Sequence, residues 1–143
     1  MSERGSWLHV RASGMDLALS TLDLREVVAM EAVSPLPGRP PGILGVVIFQ
    51  GEFLPVLAWE DLPGCPRSAT LPTALAVLRP RLAIPIDRII GMIDLAAARL
   101  RGPEEHDPAS GWSGGHLRVG DRELRLVDPD RLVALLRRFR ADR

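Results

Sequence analysis

The sequence contains no lysine, so all 18 of its basic residues are arginine. A Walker phosphate loop, a Schiff-base site and the conserved lysine position of a receiver domain each require that residue, and these kinds of site are therefore excluded. Tyrosine is also absent, and aromatic residues make up only 4% of the chain. That fraction is too small for the stacked rings on which single-stranded nucleic acid is usually bound.

Cysteine is nearly absent as well. Cys65 is the one cysteine, so no disulfide framework is possible, and a cytoplasmic location is the default expectation. The histidines His9, His106 and His116 are too widely separated to form a local metal-binding motif with it. We therefore predict no metal site and no cofactor, and the case for Cys65 as a catalytic nucleophile is weak because no local signature surrounds it.

Long hydrophobic runs and excess charge of one sign are the remaining absences. The apolar runs are far shorter than the ~20 residues of a membrane span, and the N-terminal "MSERGSWLHV" lacks the pattern of a signal peptide. The formal net charge is zero, so no overall field attracts nucleic acid or acidic lipid. We expect neither nucleic-acid binding nor direct membrane insertion.

What the chain does contain is a series of short alternating apolar stretches, within a composition that is 46% hydrophobic. Period-two alternation bounded by Gly, Pro and charged turns predicts strands. The predicted strands lie in "WLHVRAS", "MDLALS", Ile43–Phe49, Phe53–Leu57, "TALAVL", "LAIPIDRIIGMIDL" and the hairpin "HLRVGDRELRLV". The stretch 101–115, rich in Gly, Pro, Ser and charge, is predicted to be one long loop.

Two helices are predicted beside these strands. Asp23 and Glu26 have the spacing of a capping box, and Leu24, Val27 and Val28 follow as a short helical stripe. Near the C-terminus, Asp128 is placed to cap a second helix that begins at Pro129. The apolar stripe of that helix consists of Leu132, Leu135 and Leu136.

The order of these elements resembles that of the CheW-like domain of bacterial chemotaxis adaptors. Four segments carry the resemblance: "LDLREVV", "PLPGRPPGILGVVIFQGEFLPVLAW", "LAIPIDRIIGMI" and "LRLVDPDRLVALL". It implies an all-β fold of two SH3-like five-stranded antiparallel β-barrels packed together, with one short helix and a C-terminal helix. Residues 1–143 would form a single CheW-like domain made of two barrel subdomains.

The resemblance also implies a function without catalysis. Members of the family bridge the cytoplasmic coiled-coil tip of a chemoreceptor and the regulatory domain of a CheA-type histidine kinase, and other CheW-like domains are further partners. The partner-interface residues carried over to this chain are Glu26, Val28, Gly45, Val46, Ile48, Gln50, Gly51 and Leu54. Residue alternation places Val47 in the core and leaves Val46 and Ile48 open between core and interface.

The chain departs from the family pattern at two places. Gln50 stands before Gly51, where the family usually has an arginine that can pair with the glutamate corresponding to Glu26. Ala58-Trp59 stands where the family often has Asp-Leu. Trp59 is interpreted as a packing residue, and Trp112, in the long loop, as either a binding anchor or a residue that fixes the loop.

These departures keep alternatives open. One is a degenerate CheW-like protein that binds only the kinase or another CheW-like domain, as a competitor or modulator in a pilus or gliding motility system. Another is a nucleic-acid-binding β-barrel, which the neutral charge and the few aromatic rings disfavour. A basic cluster outside the C-terminal "RRFR" is lacking, which disfavours it further.

Overall fold

Two β-sheets and one α-helix make up the architecture. The computed structural model describes residues 6–30, 33–67 and 71–141. The strands are β1 (Trp7–Ala12), β2 (Met15–Ser20), β3 (Leu24–Ala29), β4 (Ile43–Phe49), β5 (Glu52–Leu57), β6 (Ala74–Leu78), β7 (Leu82–Ile86), β8 (Arg88–Ile93), β9 (Ala98–Arg101), β10 (Ser113–Val119) and β11 (Arg122–Val127). The helix is α1 (Pro129–Ala141), and short 3-10 turns lie at Trp59–Asp61, Leu95–Ala97 and Pro108–Gly111.

The chain begins and ends in the same sheet. The first sheet has the strand order β8-β1-β2-β11-β10-β9, and the second has the order β3-β6-β7-β5-β4. After β2 the chain leaves to build the whole second sheet, and it returns through β8, which pairs with β1. The mainly β architecture with a C-terminal helix confirms the expected fold class.

The expected sheet composition needs two corrections. The first sheet has six strands rather than five. Neither sheet is purely antiparallel, because β11 pairs with β2 in parallel and β5 pairs with β7 in parallel. Both parallel pairings join strands that are distant in the sequence, so alternation within each strand gave no information about their direction.

The short helix predicted after Asp23 is wrong. Leu24–Ala29 is strand β3, which pairs with β6 so that Glu26 lies opposite Val77 and Val28 opposite Leu75. Two adjacent β-branched residues, Val27 and Val28, fit a pleated strand better than a helix. Pairing with β6 therefore outweighs the capping-box pattern, which is a local signal.

Three apolar clusters follow from this arrangement. The first-sheet core, inside the first sheet, consists of Ala18, Ile93, Leu117, Leu124 and Leu126. The second-sheet core consists of Val47, Phe49, Leu54, Val56, Leu75, Val77 and Ala83. The third cluster, here called the shared core, is built by the opposite faces of both sheets together with α1, including Leu8, Val10, Leu17, Leu19, Leu57, Leu78, Ile84, Ile86 and Leu132.

Two tryptophans lie at the centre of the shared core. The rings of Trp59 and Trp112 meet edge to face, with centroids 5.4 Å apart. Both indole N–H groups have partners: Trp59 Nε1 donates to the carbonyl of Pro85 at 2.8 Å, and Trp112 Nε1 donates to that of Pro63 at 2.9 Å. Burial with a satisfied polar group is the condition under which tryptophan stabilises a core. Trp59 therefore packs as predicted, and Trp112 fixes its loop to the core.

The C-terminal helix covers one side of the shared core. Asp128 Oδ1 accepts hydrogen bonds from the backbone N–H groups of Asp130 and Arg131, at 3.1 and 3.2 Å. These contacts confirm the predicted cap, since they satisfy N–H groups that a helix start leaves without partners. The predicted stripe of Leu132, Leu135 and Leu136 is buried as well.

Replacing Trp112 by alanine is expected to destabilise the fold severely. Trp112 is fully buried, at 0% exposure, and removing a large buried aromatic side chain typically costs about 3–5 kcal/mol. Urea unfolding of W112A measures the loss. F53A is the matched control, since Phe53 is 73% exposed and its loss should change stability by less than about 1 kcal/mol. Equal losses in the two variants would contradict the assignment of Trp112 to the core.

Candidate functional site: two exposed apolar surfaces

The hairpin β4–β5 turns through Gln50 and Gly51. Both residues have positive φ, 51° and 79°, which is the backbone of a type I′ turn. The turn pairs Phe49 with Glu52 and Ile48 with Phe53. A two-residue turn therefore sets the register, and it fixes which side chains leave the barrel together on its outer face.

Four apolar side chains lie on that outer face. They are Val46 and Ile48 on β4 and, directly opposite, Pro55 and Phe53 on β5, and we call them the hairpin patch. Ile48 is 63% exposed and Phe53 is 73% exposed, while Val46 and Pro55 are half-buried. Large apolar side chains that are this exposed and directly adjacent are typical of interaction surfaces.

Sequence reasoning identified Val46 and Ile48 but missed Phe53. The available signal was the turn itself, because a two-residue Gln50-Gly51 turn places Phe53 opposite Ile48. The predicted strands Ile43–Phe49 and Phe53–Leu57 left Glu52 outside β5, which concealed that register. The alternation that predicted Val47 in the core is confirmed, since Val47 is 2% exposed.

Two arginines brace the tip of the hairpin. Arg25 Nη2, on β3, donates to Gln50 Oε1 at 3.1 Å, and the guanidinium lies 5.1 Å from the ring centroid of Phe49. Arg81, in the turn between β6 and β7, approaches Glu52 with Nη2 and Oε2 at 2.6 Å. The hairpin is thus held from two sides, which reduces the ordering that binding would require.

The predicted residues of β3 lie in a different setting from the one expected. Gln50 contacts Arg25 rather than Glu26. Glu26 is exposed, next to a register shift between Leu24 and Glu26 in the pairing of β3 with β6. Val28 is half-buried and packs against the second-sheet core. An arginine at position 50 would therefore meet a positive neighbour, Arg25, in this chain.

Gly45 and Leu54 are not surface residues, although both were assigned to the interface. Leu54 is 0% exposed in the second-sheet core, because its side chain leaves the inner face of β5. Gly45 is buried under a chain crossing: a Cβ there would lie 2.4 Å from the carbonyl oxygen of Ser34. That close approach allows Ser34 and Val46 to exchange two backbone hydrogen bonds of 2.8 Å. Gly45 therefore serves barrel closure.

A second apolar surface lies on β8. We call Ile89, Ile90 and Met92 the edge patch, and all three are exposed, Met92 at 60%. Ile89 and Met92 pair with Val10 and Leu8, which face the shared core. Because cross-strand partners point to the same side of a sheet, these two residues extend the shared-core layer outward to the surface. The edge patch therefore lies beside the junction of the two sheets.

Among the side chains that line a cleft beside Trp59, Arg39 pairs with Glu60 and Asp61. The volume of this cleft is about 560 Å³, and it lies between the proline-rich segment and Trp59. Arg39 in this cleft is paired with Asp61 at 3.0 Å and Glu60 at 3.3 Å. Asp61 has a second partner, because its Oδ2 also accepts a hydrogen bond from the backbone N–H of Gly42 at 2.8 Å. Within the described ranges, no group of three or more His, Cys, Asp or Glu residues is arranged to hold a metal ion.

Cys65 is unsuited to nucleophilic chemistry at neutral pH. Burial raises the pKa of its thiol to about 12, and the positive charge of Arg125 offsets this only in part. The thiolate is the reactive form, and it is scarce under these conditions.

Among residues 6–30, 33–67 and 71–141, no helix is long and apolar enough to cross a membrane.

The stretch 101–115 is only partly a loop, because β9 ends at Arg101 and β10 begins at Ser113. Asp107 organises what lies between. Its Oδ1 accepts from the backbone N–H of Ala109 at 3.0 Å, and its Oδ2 is bonded to Arg125. Burial alone would raise the pKa of Asp107, but the bonds from Arg125 and Ala109 and the charges of Arg125 and His116 outweigh it and lower the pKa. These contacts hold the loop in a position in which Ala109 and Trp112 pack in the shared core.

Fold and surfaces together define a class: a two-barrel β protein with two exposed apolar surfaces. The family model of the CheW-like domain matches residues 6–137, and the chain belongs to this family. Among solved structures it is similar to the scaffolding protein TtCheW from Thermoanaerobacter tengcongensis, with a TM-score of 0.72 and 15% identity. The match covers 87% of this chain and 84% of that one, and shows the shared fold of two SH3-like barrels. No curated protein sequence gives a significant match.

The contacts of Asp107 predict an acid-sensitive part of the stability. Because its pKa is lower in the folded chain than in the unfolded chain, the ionised carboxylate stabilises the fold above pH ~4. That contribution is lost as the pH falls through the lowered pKa. D107N should lose about 1–3 kcal/mol at neutral pH, the range for hydrogen bonds to charged groups, and should show a flatter acid limb.

Thermal unfolding measured from about pH 7 to about pH 2.5, a range that spans the titration of carboxylates, tests this effect. Asp121→Asn is the matched control, since Asp121 is exposed in the turn between β10 and β11. An identical pH profile for D107N and the unmodified protein would refute the role given to Asp107.

Proposed function

We propose that this chain, as a single CheW-like domain of two barrel subdomains, is a non-catalytic adaptor of chemotaxis or motility signalling. It couples the cytoplasmic tip of a chemoreceptor to the regulatory domain of a CheA-type histidine kinase. Family membership supports the adaptor role, and the observation that carries the proposal is the exposed pair of Ile48 and Phe53 on a braced hairpin.

The hairpin patch is the surface we assign to the kinase. Its apolar residues project from the outer face of a barrel, and the kinase regulatory domain has the same type of fold in the family that the sequence resembles. Two convex barrels can bury such a patch without rearranging backbone, since the turn is already fixed by Arg25 and Arg81. Phe53 fits the role of an anchor because aromatic side chains contribute disproportionately at interface centres.

The edge patch is the surface we assign to the receptor tip. Ile89 and Met92 continue the shared-core layer onto the surface, where they can contact the apolar face of a helix. Methionine suits such a contact, because its flexible side chain adapts to different helix surfaces. Two separate surfaces on one domain permit the bridging that defines an adaptor.

Reciprocal variants test this proposal. F53A should weaken binding of the kinase regulatory domain about tenfold or more, the effect of losing an interface anchor, and should leave receptor-tip binding unchanged. M92A should do the reverse. Titration calorimetry of each variant with each purified fragment gives the four affinities, and L100A, an exposed leucine of β9, is the control.

Binding of neither fragment by the unmodified protein would refute the adaptor role. Equal effects of F53A and M92A on both partners would refute the division of labour between the two patches.

A second candidate function is a CheW-like protein that has kept only the kinase contact. The contact of Arg25 with Gln50 favours this candidate, because β3 contributes a positive charge at the turn where the family pattern has a negative one. Charge pattern governs partner choice more than it governs affinity. This candidate differs from the first in placing the receptor contact at the turn of Gln50, so a receptor adapted to the usual polarity would bind weakly there.

Substitutions of Gln50 test the altered polarity. Q50E converts the hydrogen bond to Arg25 into an ion pair and should stabilise the hairpin by up to about 1 kcal/mol, whereas Q50R opposes two guanidinium groups and should destabilise it similarly. Both effects should vanish in an R25A background. The double variant R25E/Q50R creates an ion pair with the arginine at position 50, which is the polarity of the family pattern. A gain in its receptor-tip binding would support the second candidate, and unchanged binding would count against it.

A further inference from the structure

The outer face of β9, β10 and β11 carries two rows of charged side chains. The rows are Arg101–His116–Arg125 and Arg99–Arg118–Glu123, each read across the three strands. In the first row the arginines are neutralised: Arg101 Nη2 lies 3.0 Å from Glu104 Oε1, and Arg125 is bonded to Asp107. The charges of both arginines in the first row are therefore balanced by carboxylates of the chain.

The second row differs from the first in the pairing of its arginines. Arg99 and Arg118 lie directly opposite each other, and among the residues that the structure describes neither has a carboxylate within ion-pair distance. Glu123, the neighbour of Arg118, directs its Oε1 toward His116 Nε2 at 3.7 Å instead. Like charges directly opposite on adjacent strands are destabilising, so the pair is a local cost that an anion would remove.

Space for an anion exists between the two arginines. A cleft of about 440 Å³ is lined by Arg99, Arg118, Ala97 and Gly120. Gly120 and Ala97 contribute almost no side chain, and the position of a Cβ on Gly120 has nothing within 4 Å. Arg118 Nε is directed to the carbonyl of Gly120 at 3.4 Å, which leaves its terminal NH₂ groups available to a ligand.

A second opposed pair of arginines provides an internal comparison. Arg11 and Arg88 also face each other, across β1 and β8. There the chain supplies its own anion, because Asp16 pairs with Arg11 across β1 and β2 and lies 3.9 Å from Arg11 Nε. The chain therefore offsets part of the charge of this opposed pair itself, whereas no such carboxylate lies beside Arg99 and Arg118 among the described residues.

We propose that the cleft between Arg99 and Arg118 binds a phosphate group. A phosphate dianion neutralises both guanidinium charges, whereas one carboxylate leaves a net positive charge in the cleft. Its oxygens also match the parallel N–H groups of the arginine fork, which lysine cannot offer. The site lies on the first sheet, apart from the hairpin patch, and its test is independent of the adaptor proposal.

Inorganic phosphate is the first probe. In the unmodified protein it should shift the NMR signals of the Arg99 and Arg118 Nε–H groups and raise the unfolding temperature, beyond the effect of sodium chloride at the same ionic strength. R99Q and R118Q should each weaken phosphate binding by about tenfold or more, since charge-assisted hydrogen bonds are the strong ones. Both variants should raise the unfolding temperature without phosphate, because they relieve the repulsion.

R88Q is the matched control, since it breaks the opposed pair whose charge Asp16 already offsets in part, and it should keep phosphate binding intact. Acetate should bind several-fold more weakly than phosphate, and equal binding would overturn the charge match. A glycine-flanked phosphoserine peptide distinguishes the source: tighter binding than inorganic phosphate assigns the site to a phosphorylated protein segment, and weaker binding assigns it to a free phosphate. Phosphate effects in R118Q equal to those in the unmodified protein, or effects no larger than those of chloride, would overturn the proposal.

Discussion

The shared core is the constraint on which the rest of the structure depends. Each sheet curls around its own small cluster, yet its other face is also apolar and must be covered. The opposite sheet, α1 and the turns that carry Trp59 and Trp112 provide that cover, so strands such as β7 are buried along their whole length. The two barrels therefore cannot separate without exposing Leu8, Ile84 and the tryptophan pair to water, and a fixed angle between them follows.

That constraint explains where apolar surface remains. Cover is complete at the centre of the shared core and ends at the edge strand β8, where Ile89 and Met92 continue the layer into solvent. The hairpin patch arises differently, because β4 and β5 turn their inner face to the second-sheet core and leave Ile48 and Phe53 outside. One patch thus results from the edge of a core and the other from the outer face of a barrel.

Features that depend on residues close together in the sequence were predicted correctly. The hairpins, the cap at Asp128 and the stripe of α1 were predictable, because turn residues and periodicity act over a few residues. Strand β3 was not predictable in this way, because its partner β6 lies roughly 50 residues further along the chain, beyond any local sequence window. Pairing with β6 outweighs the local capping pattern. The same limit applies to the site: Phe53 needed the turn type, and the burial of Gly45 needed the crossing at Ser34.

The exclusive use of arginine links these features physically. A planar guanidinium can donate in its own plane while its face lies over a ring, and Arg25 does both, bonding Gln50 beside Phe49. Arg125 does the same, bonded to Asp107 with its guanidinium carbon 5.9 Å from the ring centroid of Trp112. Lysine offers a single charged point and could satisfy only one contact of each pair. Arginine therefore connects surface charge to the cores beneath it, which keeps the hairpin tip and the loop before β10 in place while the apolar patches stay exposed.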